Sequence, residues 1–257
     1  SENQNQTESD TLSQFEDINS NIKLLRHETS ILKYLYERDI RNIPAVSWFG
    51  IHNHYTCLAM TLYECSLYDY VISKKNLSVS KINSIIYQLV TILKSIHDNG
   101  VIHRDIKPQN IMVKSGELYL IDFGFSTIFI DEDGEHVPDD CSEHIIGSPK
   151  YVSYYIHTGS VASRRDDLIS LGYLYIFLHE GQLSWENIGD DISINDEYDE
   201  TSIYHYKNIL RQEMKQISNI SDFTSTIQSH NLQNYLKYVY NLKYEELPNY
   251  AAILKLF

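Results

Sequence analysis

The stretch from Val101 to Gly124, VIHRDIKPQNIMVKSGELYLIDFG, constrains this chain more than any other. It holds His103-Arg104-Asp105, then Lys107, then Asn110. Twelve residues beyond Asn110 comes Asp122-Phe123-Gly124. Between the two groups, Leu118-Tyr119-Leu120-Ile121 reads as a short apolar strand. An isolated Asp-Phe-Gly recurs by chance. The ordered pair of motifs, with a strand between them, is far more specific.

This set resembles the catalytic loop and the metal-binding turn of protein kinases. The resemblance implies an α+β, bilobal protein-kinase-like fold, with a small, partly β N-lobe and a mainly helical C-lobe. It implies ATP and Mg2+ as cofactors. Phosphoryl transfer asks a protein for positioning and charge neutralisation more than for covalent work. Asp105 would accept, or orient through a hydrogen bond, the proton of the attacking hydroxyl. Asn110 and Asp122 are hard oxygen donors suited to Mg2+. Lys107 would set a cation on the transferring phosphoryl oxygens, and a lysine there resembles the serine/threonine kinases. The bland alternative, two solvated loop carboxylates, leaves the matching Asn, Lys and Gly unexplained.

The length of 257 residues suits one bilobal catalytic domain, with 1–62 a partial N-lobe and 63–257 the C-lobe. The formal charge of −14 disfavours non-specific binding to nucleic acid or an anionic membrane surface. No apolar run approaches the ~18 residues of a membrane span. Cys57, Cys65 and Cys141 show no metal spacing and leave one odd, which fits a reduced, intracellular protein. His52 and His54 form an H-x-H without an evident third ligand.

The N-terminal part departs from the kinase pattern. There is no G-x-G-x-x-G, and the first glycine is Gly50. The N-lobe is therefore expected to be truncated or reduced. Leu24 to Leu35 is apolar at 24, 25, 31, 32 and 35, an amphipathic helix. Glu28 falls where the family's C helix carries the glutamate that holds the ATP lysine; an ordinary solvated helix glutamate is the alternative. By family spacing Gln14 takes the lysine's place, and Lys23 stands too close to Glu28 to serve. Tyr55 to Leu62 reads as a strand entering the hinge. Met60 aligns with the gatekeeper, and Thr61, Leu62 and Tyr63 with the segment that meets the adenine edge. Ser66 is placed to cap a helix, and Ser80 to cap a longer one ending near His97. Asp131 to Glu143 is an acidic run, read as a solvated loop. Leu168 to Leu178 reads as a buried helix.

Farther on, Gly147-Ser148-Pro149-Lys150-Tyr151-Val152-Ser153 precedes Ser163-Arg164-Arg165-Asp166-Asp167-Leu168-Ile169-Ser170-Leu171-Gly172-Tyr173, with no Ala-Pro-Glu. Leu183-Ser184-Trp185 follows. This run resembles the casein kinase 1 family, over about Leu24 to Phe257. The resemblance implies that Asp167 braces the catalytic loop by accepting its backbone hydrogen bonds. It also implies that Lys150 and Arg164 form a basic site for an acidic or phosphorylated group of the substrate. Surface or ion-paired cations are the alternative for both, and the acidic net charge opposes acid-directed substrate choice.

The function expected is transfer of the ATP γ-phosphoryl group to Ser or Thr of protein substrates. The absent glycine loop and unassigned lysine support a rival, a pseudokinase or incomplete fragment that works by binding, and the intact Asp105, Lys107, Asn110 and Asp122 oppose it. A small-molecule or lipid kinase on the same fold is a third possibility, which the casein-kinase-like run argues against.

Overall fold

The structure, a computed structural model, describes residues 21–74, 76–142, 144–189 and 199–257. Gln14, Glu143 and residues 190–198 lie outside the described residues.

The first described element is a helix over residues 21–37, α1. Ile31, Leu32 and Leu35 are buried, one helical stripe, and Glu28 and Thr29 are buried beside them. An antiparallel hairpin follows, β1 (Val46–His52) and β2 (Tyr55–Met60). His52 pairs with Tyr55 across Asn53 and His54, whose φ values are 48° and 69°. Positive φ at both loop positions is what a type I′ two-residue hairpin requires. His52 thus closes a strand, and of the two histidines His54 alone sits in the turn, beside Asn53.

A short strand, β3 (Cys65–Ser66), leads into α2 (Leu67–Lys74). Ser66 Oγ accepts the Asp69 backbone N–H at 3.0 Å, an N-terminal cap. The long helix α3 runs Val79–His97, and its cap is Ser78 rather than Ser80: Ser78 Oγ accepts from the Lys81 backbone N–H. Either serine suits a cap chemically; Val79 already has helical geometry, so the serine before it does the capping.

Short strands organise the segment between α3 and the acidic run. β4 (Val101–Ile102) pairs with β7 (Thr127–Ile128), while β5 (Ile111–Lys114) pairs with β6 (Glu117–Leu120) and β3. The remaining elements are α4 (Tyr154–His157), α5 (Arg164–Glu180), α6 (Glu200–Met214), α7 (Ile220–Phe223), α8 (His230–Tyr240) and α9 (Tyr250–Leu254). Helix α5 is buried from Arg165 to Leu178, on every face. Helices α3 and α8 both pack against it. Gly172 allows the approach of α8: a Cβ there would lie 2.6 Å from Leu236 Cδ2. The elements form a small region of one helix and a two-stranded sheet, joined to a mostly helical part that carries the main core.

Candidate active site

The twelve-residue interval between Asn110 and Asp122 is a hairpin. Strands β5 and β6 are four residues each, joined by Ser115 and Gly116 with φ of 53° and 83°. Pairing of Ile111 with Leu120 folds the far end back beside the near one. The Ile121 N–H then donates to Asn110 O at 2.9 Å. Asn110 and Asp122 therefore flank the open end of one hairpin.

Asp105 is 2% exposed, and both of its carboxylate oxygens accept hydrogen bonds. Oδ1 accepts the Ser148 backbone N–H at 2.9 Å. Oδ2 accepts from Lys107 Nζ at 2.6 Å and from Asn110 Nδ2 at 3.0 Å. Lys107 Nζ also donates to Ser148 Oγ at 3.0 Å. Burial alone pushes the Asp105 carboxyl up, but the hydrogen bond and charge of Lys107, then Ser148, override it and hold it below the usual range. Asn110 Nδ2 donates also to Asp105 O, at 2.9 Å. Both amide protons are thus committed, and Asn110 Oδ1 has no hydrogen-bond partner among the described residues.

The loop is braced from beneath. Asp167 Oδ2 accepts the His103 N–H at 2.7 Å and Oδ1 accepts the Arg104 N–H at 2.8 Å. His97 Nε2 lies 2.9 Å from Asp167 Oδ2, and His97 Nδ1 lies 2.6 Å from the Tyr250 hydroxyl. Burial pushes the Asp167 carboxyl up, yet the His97 hydrogen bond and the loop amides hold it below the usual range. His103 is buried and neutral, since burial lowers its pKa. Its Nδ1 accepts the Asp105 N–H at 3.3 Å, so Nε2 carries the proton and donates to Ile121 O at 3.0 Å.

Asp122 has φ 65° and ψ 69°, left-handed for a non-glycine residue. Its carboxylate has no hydrogen-bond partner among the described residues and faces a cavity of about 500 Å³, lined also by Leu24, Leu25, Glu28, Tyr55 and Gly124. Phe123 is fully buried, edge-on to His103 with ring centroids 4.8 Å apart. Glu28 Oε1 accepts the Phe123 N–H at 3.2 Å. Among the described residues Glu28 has no cation at ion-pair distance. Burial, and then the charge of Asp122, push its carboxyl up.

In the segment expected to form the hinge, Met60 is half-buried at the end of β2, and Thr61 turns toward Ala45. Thr61 N–H donates to Ala45 O at 3.2 Å, and its hydroxyl accepts the Ala45 N–H at 3.1 Å. Leu62 is 87% exposed. The Tyr63 ring packs on Tyr119 with centroids 5.0 Å apart. The backbone groups of Leu62 and Tyr63 have no intramolecular partner among the described residues.

Lys150 and Arg164 carry local contacts of their own. Lys150 Nζ pairs with Glu186 Oε1 at 2.9 Å. Arg164 Nη2 donates to Glu245 O at 2.5 Å, and its guanidinium lies over Phe129, 4.7 Å from the centroid. Three contributors escaped the sequence reading: Ser148, His97 and Tyr250. Ser148 lies in the Gly147–Ser153 run, whose pattern resembles a family motif without marking this serine as a contact of Asp105. His97, at the C-terminus of α3, is a polar residue on a buried face, a signal that asks for a partner.

The site thus gathers a buried carboxylate with a lysine, and two oxygen donors at a hairpin end. Comparison with models of protein families matches residues 9–254 to the protein kinase domain. That is nearly the whole chain, which belongs to the protein kinase family.

Proposed function

We propose that this kinase domain is a serine/threonine protein kinase of casein kinase 1 type, transferring the γ-phosphoryl group of ATP to Ser or Thr hydroxyls of proteins. The observation that carries the reading is the cluster at Asp105. Two of its donors, Lys107 and Asn110, occupy both lone-pair directions of Oδ2. Ser148 takes one direction of Oδ1 and leaves the other open. An acceptor hydroxyl would donate to that open position and be oriented for attack. Lys107 Nζ has two of its three protons committed, to Asp105 and Ser148. The third is available to a phosphoryl oxygen.

The residues present fit Mg2+ and a nucleotide. Asn110 Oδ1 and the unpartnered Asp122 carboxylate are hard oxygen ligands for Mg2+, which when bound neutralises phosphate charge. The unpartnered backbone of Leu62 and Tyr63 is free to meet the adenine edge.

One observation favours the rival reading, a pseudokinase that acts by binding. Glu28 holds the Phe123 N–H and no cation among the described residues. The rate contribution of a phosphate-orienting lysine is then missing from the described chain. The assay that separates the two is transfer of labelled phosphate from Mg-ATP to casein, with Asp105→Asn as control. Label on Ser or Thr that disappears in the control supports the kinase; no label from folded protein sinks that reading.

A further inference from the structure

Lys215, the residue that caps α6 at its C-terminus, is 0% exposed, yet no carboxylate lies within ion-pair distance of it among the described residues. Its Nζ donates to Pro149 O and to Val152 O, each at 2.8 Å, and lies 3.2 Å from His157 Nε2. The same nitrogen sits 5.0 Å from the centre of the Tyr173 ring and 5.4 Å from that of Trp185. Trp185 Nε1 donates to Lys150 O at 2.7 Å, the carbonyl between those two. Three carbonyls of one turn therefore point into the core, and the donors that satisfy them are Lys215 and Trp185. The backbone at Lys215 is held in turn, because Tyr240 donates its hydroxyl to Lys215 O at 2.9 Å.

A buried lysine is costly to keep without a job. A methionine would fill the same volume, but it would leave the Pro149 and Val152 carbonyls without donors. The turn so held is the one that reaches the proposed base. Ser148 O accepts the N–H groups of Tyr151 and Val152, at 2.8 and 3.0 Å. On its other side Ser148 contacts both Asp105 and Lys107. A displacement of Pro149 or Val152 thus moves Ser148, and with it one ligand of each reacting group.

We infer that Lys215 is a positioning residue for phosphoryl transfer: it clamps the Gly147–Ser153 turn so that Ser148 holds Asp105 and Lys107 in register. The catalytic part of this inference rests on the kinase reading above. The clamp itself rests on the contacts alone.

The test compares the full chain with Lys215→Met, which keeps the stem without donors, and Lys215→Gln, which keeps a donor. Two readouts are taken, amide hydrogen exchange by segment and steady-state transfer from Mg-ATP to casein. In Lys215→Met, exchange at Ser148, Tyr151 and Val152 rises about 10-fold or more, while the amides of α3 stay as in the parent. Its kcat falls about 10–100-fold with KM for ATP unchanged, and Lys215→Gln lies between. Parent-like exchange at the turn, or a rise spread equally over α3, overturns the clamp. Failure of both variants to fold also overturns it, making Lys215 a residue of global stability. A parent chain that transfers no phosphate overturns the catalytic role and the kinase reading together, while the exchange result separately decides whether the clamp exists.

Discussion

The Ser148 backbone N–H donates to Oδ1 of Asp105 at 2.9 Å, across 43 residues of chain. The carboxylate and the turn at 147–153 are consequently one structural unit. Asp105→Asn keeps an oxygen to accept that N–H but loses the charge that attracts a hydroxyl proton. Its kcat is expected to fall about 10²–10⁴-fold. The new amide nitrogen also faces donors where Oδ2 accepted from Lys107 and Asn110, so the thermal midpoint should fall too, by about 2–4 °C for each kcal/mol lost. Phosphate transfer and a melting curve on the same preparation check both halves.

The acid limb of the pH–rate profile should respond to Lys107. In the parent, Lys107 outweighs burial and keeps the Asp105 carboxyl below the usual range. Burial remains in Lys107→Met while the hydrogen bond and charge are gone. The carboxyl then rises, and the acid limb of kcat/KM moves to higher pH. An unmoved limb would show that it reports another group.

Gly147 has φ +100°, and a Cβ there would lie 2.3 Å from Arg104 O. Alanine is disfavoured in the left-handed region by about 1–2 kcal/mol before that collision is counted. Relief requires the catalytic loop and the turn to separate. Gly147→Ala should lower kcat about 10²-fold, the scale of an ångström-sized misplacement. Steady-state kinetics would refute this by returning parental kcat.

Much of this site could be read in the chain before folding, for a local reason. The spacing of Asn110 and Asp122 is the length of one hairpin, and Asp105, Lys107 and Asn110 share one loop. What stayed hidden depends on distant partners. Glu186 beside Lys150, Tyr250 beside His97 and Lys215 beneath Pro149 are joined by packing of α3, α5, α6 and α9, and no short-range pattern encodes those pairs. The exchange of Ser78 for Ser80 as a cap is the usual error of a boundary.

Asp167 supplies the brace under the loop, with one oxygen for Arg104 and one shared by His103 and His97. An asparagine offers one acceptor and turns a donor toward another donor. Asp167→Asn should cost about 3 kcal/mol of stability at neutral pH, read from urea unfolding. The parent's folded pKa is depressed, so its stabilising share is present above the unfolded pKa of about 3.9. It is lost as pH falls through the lower folded value. The variant should lack that part of the acid-dependent loss.

Glu28 carries the opposite sign. Burial and Asp122 raise its folded pKa above the unfolded one. Between those two values the folded state binds more protons, so stability declines as pH rises and stays lowered at neutral pH. Glu28→Gln preserves an oxygen for the Phe123 N–H and removes the repulsion with Asp122. The variant of this chain should therefore melt higher than the parent at pH 7, with the difference vanishing toward pH 4. A cation paired with Glu28, from residues outside those described or from a longer form of the protein, reverses the sign, because the glutamine then leaves that cation alone. The melting temperatures of the pair at two pH values thus report whether a lysine meets Glu28. A lower midpoint for Glu28→Gln at pH 7 favours the active kinase, and a higher one favours the reading in which the domain binds without transfer.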